Sequence, residues 1–124
     1  MSNGQKSLYE RLGGYDAIAA LAANLLERLR ADPQLGRFWA NRSTDGIKRE
    51  LQLLIDFLCS SAGGPVYYMG RDVTVIHHGM RISESDWEKF LPHVAATLDK
   101  FGVPGPERQE VTAFLQSFKK DIVE

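Results

Sequence analysis

The sequence predicts an all-α fold, on three observations. Every long apolar pattern repeats at the helical period, and no run alternates with the period of two that a half-buried strand needs. The patterns are cut by strong breakers, Gly13-Gly14, Pro33 and Gly63-Gly64-Pro65. The chain has 124 residues without internal repeats, which suits one compact domain over 1–124 with a flexible polar start at 1–6.

The elements follow in order. Ser7 and Glu10 make a capping-box pair, so a short helix starts near Ser7 and stops at Gly13-Gly14. The stretch "YDAIAALAANLLERLRADP" sets Ile18, Leu21, Ala22, Leu25 and Leu29 on one stripe before Pro33, and "QLGRFW" reads as a short turn. After the polar loop "NRSTDG", a helix from about Asp45 to Ala62 carries Ile47, Leu51, Leu54 and Leu58 on one face. Leu53, Ile55 and Phe57 widen that face beyond a single stripe, as if it packed on two sides. A loop and a short helix come next. Ser85 with Glu88 predicts the start of a long helix striped by Trp87, Phe90, Leu91, Val94, Leu98 and Phe101. Pro106 predicts the start of a last one aligning Val111, Phe114, Leu115, Phe118 and Ile122. The apolar faces exceed what a helical domain of this size needs for its own core. A buried apolar cofactor or a dimer interface would each use the surplus.

Composition narrows the function classes. The net charge is −1, with no basic excess to favour nucleic acid or an anionic membrane. No apolar run resembles a signal peptide or membrane span, and the lone Cys59 excludes an internal disulfide, so a cytoplasmic location is expected. Cys59 lies in the apolar run "LIDFLCSS" and reads as a buried thiol. Two of the three histidines stand together in "YYMGRDVTVIHHGMRI". Neighbours on a helix diverge by roughly 100°, so His77 and His78 cannot serve one target. The residues alone leave open which of them acts, and His93 beside the Trp87–Phe101 stripe reads as structural.

The landmarks "LYERLGG", "GRFW", "AGGP" followed by tyrosine and "GRD", and "IHHGM", in this order and at these separations, resemble the truncated haemoglobins of group I. These are globins of two-over-two helical architecture holding haem b, iron protoporphyrin IX. The resemblance runs almost end to end. It implies that the iron ligand is His77, seven residues after Gly70. Such an imidazole is neutral and gives its other ring N–H to a carbonyl, for which that of Val73 is in reach on a short helix. His78 then points elsewhere.

The resemblance also implies the rest of the site. Trp39, after Phe38, takes the place of the aromatic that packs on the haem. Leu54, Phe57, Leu58, Val73, Ile76, Met80, Ile82 and Phe90 are candidate haem-wall residues. Arg71, or Lys48 or Arg49, is a candidate partner for a haem propionate, and Tyr67 and Tyr68 pack over the haem edge. On the gas-binding side the chain departs from the family. Leu26 replaces the usual tyrosine, and Glu50, Leu53 and Leu54 stand where glutamines assist it, after a few extra residues in "ANRSTDGI". That pocket should be apolar unless Glu50, Gln52 or the indole N–H of Trp39 turns in.

The function implied is reversible binding or transport of oxygen, together with carbon monoxide and nitric oxide binding, at a five-coordinate histidine-ligated haem. Nitric oxide scavenging would need a separate reductase. A haem-based redox or gas-sensing module, and a haem-free helical interaction domain, are the competing readings.

Overall fold

The computed structural model describes residues 6–124, so the expected flexible start lies, apart from Lys6, outside the described residues. Every regular element in that range is helical: α1 Leu8–Leu12, α2 Tyr15–Ala31, a 3₁₀ turn Leu35–Trp39, α3 Thr44–Ser61, α4 Val73–His77, α5 Glu84–Lys100, α6 Gly105–Gln116 and α7 Lys119–Ile122. Helix α2 packs against α3 on one side and α5 on the other. Helix α1 ties α2 to α6, and α4 rests on α7.

The second glycine pair packs against the start of α1. The Tyr9 N–H donates to the Ala62 carbonyl at 2.9 Å, joining α1 to the end of α3. A Cβ on Gly64 would collide with the Tyr9 ring, so this position requires glycine to let the two ends approach. The core between α2 and α3 is Ile18, Ala22, Ile55 and Cys59, with Leu12, Leu51 and Leu58 against it. Cys59 is 0% exposed, and burial pushes its thiol pKa up, which keeps it a poor nucleophile.

Four boundaries move from the expected ones, and one of them is the start of α6, at Gly105 after Pro104 rather than at Pro106. Helix α3 starts at Thr44, capped by Ser43, one residue before Asp45. Helix α5 is capped by Ser83 rather than Ser85: Ser83 Oγ accepts from Asp86 N at 3.1 Å, and the Asp86 carboxylate accepts from Ser83 N at 2.9 Å. The last apolar stripe spans two helices, because Ser117 Oγ donates to the Phe114 carbonyl at 2.6 Å and competes with the helical ladder there.

Two carboxylates lock the 3₁₀ turn onto α5. Asp86, 1% exposed, accepts from Arg37 at 2.8 Å and from Gln34 Nε2 at 2.7 Å. Asp32 pairs with His93 Nε2 at 2.7 Å and accepts the N–H groups of Gln34 and Leu35 at 2.8 and 3.0 Å. The hydrogen bond from His93, then those from Leu35 and Gln34, lowers Asp32 from 3.8 to about 2. The Arg37 guanidinium in turn holds Asp86 well below the usual carboxylate range. A depressed folded pKa stabilises fully above the unfolded value and loses that contribution as pH falls through the folded one. Thermal melting followed by circular dichroism should therefore show a steep loss of stability as pH falls from about 4 toward 2. Asp86→Ala should lower neutral-pH stability by about 1–3 kcal/mol, by removing the cap and a charge-assisted bond, and should flatten part of the acid limb.

Candidate functional site

Among the described residues, nine apolar side chains are buried. The surplus converges on one large internal cavity of about 1170 Å³, walled by α2, α3, the 3₁₀ turn and the segment from Tyr68 to Ile82, with α5, α6 and α7 completing it. A close-packed interior tolerates few voids larger than a water molecule. Water inside this one would find few hydrogen-bond partners, because the walls are mostly apolar, with leucine, isoleucine and phenylalanine about half of them. The size and chemistry suit a large hydrophobic group with a few polar contacts at its edge.

One imidazole lines this cavity, that of His77. It sits in the last position of α4, whose start is fixed by the Asp72 carboxylate accepting from Thr74 N at 2.9 Å. The His77 Nδ1–H donates to the Val73 carbonyl, 2.8 Å away and one turn earlier. A carbonyl only accepts, so Nδ1 carries a proton, and in the neutral ring that puts the lone pair on Nε2. A neutral imidazole of fixed tautomer is what a metal ligand requires. His78, the next residue, does not line the cavity and is 83% exposed at its side chain. His93 is committed to Asp32.

The wall from α2 and α3 is apolar. Leu25, Leu26, Leu53, Leu54, Phe57 and Leu58 all line it. Its polar members are Arg49, Glu50 and Ser61, all from α3, and both oxygens of the Glu50 carboxylate are occupied. Trp39 Nε1–H donates to Oε2 at 3.0 Å, and Arg42 donates to Oε1 at 2.9 Å. The Trp39 donor, required to find a partner when buried, is thus spent on Glu50 rather than left for a ligand. Trp87 Nε1, by contrast, is buried with no partner among the described residues. Gln52 does not turn in: its amide donates to the Tyr15 hydroxyl at 2.8 Å and to Asp56 at 3.0 Å, and it lines no part of the cavity. Lys48 is absent from the lining as well.

Val73, Ile76, Met80, Ile82 and Phe90 line the same cavity as His77, with Arg49 and Arg71. Neither of these arginines has an ion-pair partner among the described residues. The Tyr68 hydroxyl donates to the Arg71 carbonyl at 2.7 Å, and burial raises its pKa. Its ring stands edge-on to Phe57, which also meets Phe114 and Phe118 with centroids 6.0 and 5.7 Å apart. Tyr67, expected near the cavity edge, is 82% exposed and does not line it.

Sequence reasoning missed Arg42 and the aromatic wall from Phe114 and Phe118 as site residues. The stripe of the last helices held the signal for the phenylalanines. Arg42 sat in a polar loop with nothing to mark its partner eight positions on.

Residues 7–124 match the model of the family described as bacterial-like globin. The chain is 28% identical to a group 1 truncated haemoglobin of Tetrahymena pyriformis, over 98% of each chain. It is 27% identical to that of Mycolicibacterium paratuberculosis, over 94% of this chain and 83% of the relative. The crystal structure of the Tetrahymena pyriformis truncated haemoglobin in its Fe(III) form superimposes with a TM-score of 0.85, covering 95% of this chain and 98% of that one. A 2/2 haemoglobin from a Synechococcus species, described with covalently attached haem, shares the fold at 22% identity with a TM-score of 0.85.

Proposed function

The chain belongs to the bacterial-like globin family, and on that premise we propose that it is a gas-binding truncated haemoglobin with His77 as the iron ligand of haem b and an apolar pocket above it. The single observation that carries the ligand assignment is the Nδ1–Val73 hydrogen bond, which leaves Nε2 of the cavity's one imidazole free.

Haem b, when bound, would supply an iron able to take a small diatomic gas, and His77 is the residue that would hold it. Every other task falls to the chain. Val73 holds the ring of His77 in one tautomer and one orientation. Val73, Ile76, Met80, Ile82, Phe90, Trp39, Leu54 and Leu58 exclude water from the two faces of the group. Arg71 and Arg49 offer unpaired cations to its propionates, a charge-assisted contact.

Leu26, Leu53 and Leu54 offer a gas no donor, and Glu50, while ionised, is acceptor-only. Such a pocket adds little stabilisation to bound oxygen and so discriminates weakly for it against carbon monoxide. Consumption of nitric oxide under oxygen, reset by a separate reductase, is consistent with that chemistry. No helix among the described residues is long and apolar enough to cross a membrane.

Reconstitution of the purified protein with haem tests the reading. The expected result is a five-coordinate ferrous spectrum that changes with oxygen and carbon monoxide, and rapid oxygen release in stopped flow. No Soret band on haem addition would remove the reading. A slow oxygen release would remove the apolar pocket while leaving the ligand.

A further inference from the structure

Helix α4 is one turn long, and a helix that short has no stability of its own in water. Its direction, and with it the aim of His77, must be set from outside. The upstream end has Asp72 as its cap. The downstream end is held by a residue far away in sequence, Glu124, just beyond α7. Glu124 Oε2 accepts from Gly79 N at 3.0 Å, and Oε1 accepts from Arg81 N at 2.6 Å. The Glu124 N–H in turn donates to the Ile82 carbonyl at 2.7 Å. Three hydrogen bonds from one residue therefore clamp the four-residue turn 79–82 that leaves α4. The two amides hold the carboxylate's pKa below its ordinary value, so it stays ionised and a strong acceptor at neutral pH.

The clamped turn is not one the chain adopts freely. Gly79 has φ 85°, and Arg81 has φ 57°, a region non-glycine residues rarely enter. Such a conformation persists where surrounding contacts over-determine it, and the Glu124 carboxylate is the contact present at both positions. His77 cannot swivel independently of this turn. Its Nδ1 is bonded within α4, and its own carbonyl accepts from Met80 N at 3.2 Å, inside the clamped segment.

We propose that Glu124 is a positioning residue for His77. Its carboxylate fixes the turn after α4, and through that turn the angle at which the imidazole meets the iron. This rests on the reading of His77 as the ligand.

Glu124→Gln tests it, since the amide keeps one acceptor oxygen and turns an NH₂ toward the other backbone N–H. In the haem-free variant, amide hydrogen exchange at Gly79 and Arg81 should quicken about tenfold relative to the parent chain. In the haem-loaded ferrous variant, the iron–histidine stretching band in resonance Raman should shift or broaden while the haem content stays at the parent level. Lys119→Ala, which breaks the α7 ion pair to Glu84 at 2.5 Å and leaves Glu124 in place, should change neither. Unchanged exchange at Gly79 and Arg81 would overturn the clamp. Faster exchange with an unmoved band, or an equal band shift in Lys119→Ala, would overturn the link to His77. An iron–histidine band that survives His77→Ala would instead overturn the ligand assignment itself.

Discussion

His77→Gly should strip the protein of stably held haem, and added imidazole should restore it. Losing a group that merely orients a ligand typically costs 10–100-fold in metal affinity. Losing the ligand itself should exceed that, so haem loss to an acceptor protein should accelerate by more than about 100-fold. Imidazole in solution can enter the space the side chain leaves, and should return the five-coordinate ferrous spectrum without returning the Val73 hydrogen bond. The same substitution at the neighbouring residue is the control. His78 lies outside the cavity and is mostly exposed, so His78→Gly should hold haem like the parent. If the two variants behave alike, or if His77→Gly keeps its haem, the ligand assignment fails.

The doubled histidine shows what the sequence could and could not disclose. Helix periodicity separated the two rings into different directions, and the aromatic and leucine stripes placed the long helices, because those signals depend on local geometry. Which of two overlapping caps starts α5 was not legible. Ser83 with Asp86 and Ser85 with Glu88 are both good capping boxes, and the choice is made by partners far away. Arg37 and Gln34 bind the Asp86 carboxylate, and Gln34 also donates to Ser85 Oγ at 3.2 Å. The break at Ser117 was hidden for a related reason. The stripe of Val111, Phe114, Leu115, Phe118 and Ile122 continues past it, and all five line the cavity, so periodicity sees one helix where a side-chain hydrogen bond makes two. The surplus of apolar surface was plain in the sequence, but its destination was not. Composition cannot distinguish walls that face inward around a cavity from a face that covers a second chain. The Trp39–Glu50–Arg42 cluster was least legible, because it is assembled across a turn and a loop whose path the residues do not announce.

The second large effect lies in that pocket. Leu26→Tyr should slow oxygen release by about 10–100-fold. Leu26 is buried and lines the cavity in the middle of α2, outside the α2–α3 cluster of Ile18, Ala22, Ile55 and Cys59. Oxygen gains negative charge when it binds ferrous haem, and a hydroxyl that donates to it contributes roughly 1.5–3 kcal/mol, since hydrogen bonds to charged groups are the stronger ones. At 1.4 kcal/mol per tenfold, that range spans the predicted slowing. Carbon monoxide gains far less charge, so its release should change by less than about threefold, a difference below 1 kcal/mol. Leu26→Phe separates the hydroxyl from the bulk. It adds the ring without the donor and should leave oxygen release close to the parent rate. Glu50 decides how cleanly the effect appears. Its carboxylate is held by Trp39 and Arg42, and Trp39→Phe would leave Arg42 as its one partner and free it to capture the new hydroxyl. The double variant Leu26→Tyr/Trp39→Phe should therefore release oxygen faster than Leu26→Tyr alone. If it releases oxygen more slowly, Glu50 is not competing with bound oxygen for the tyrosine's hydrogen bond, and the pocket is arranged differently from the one described.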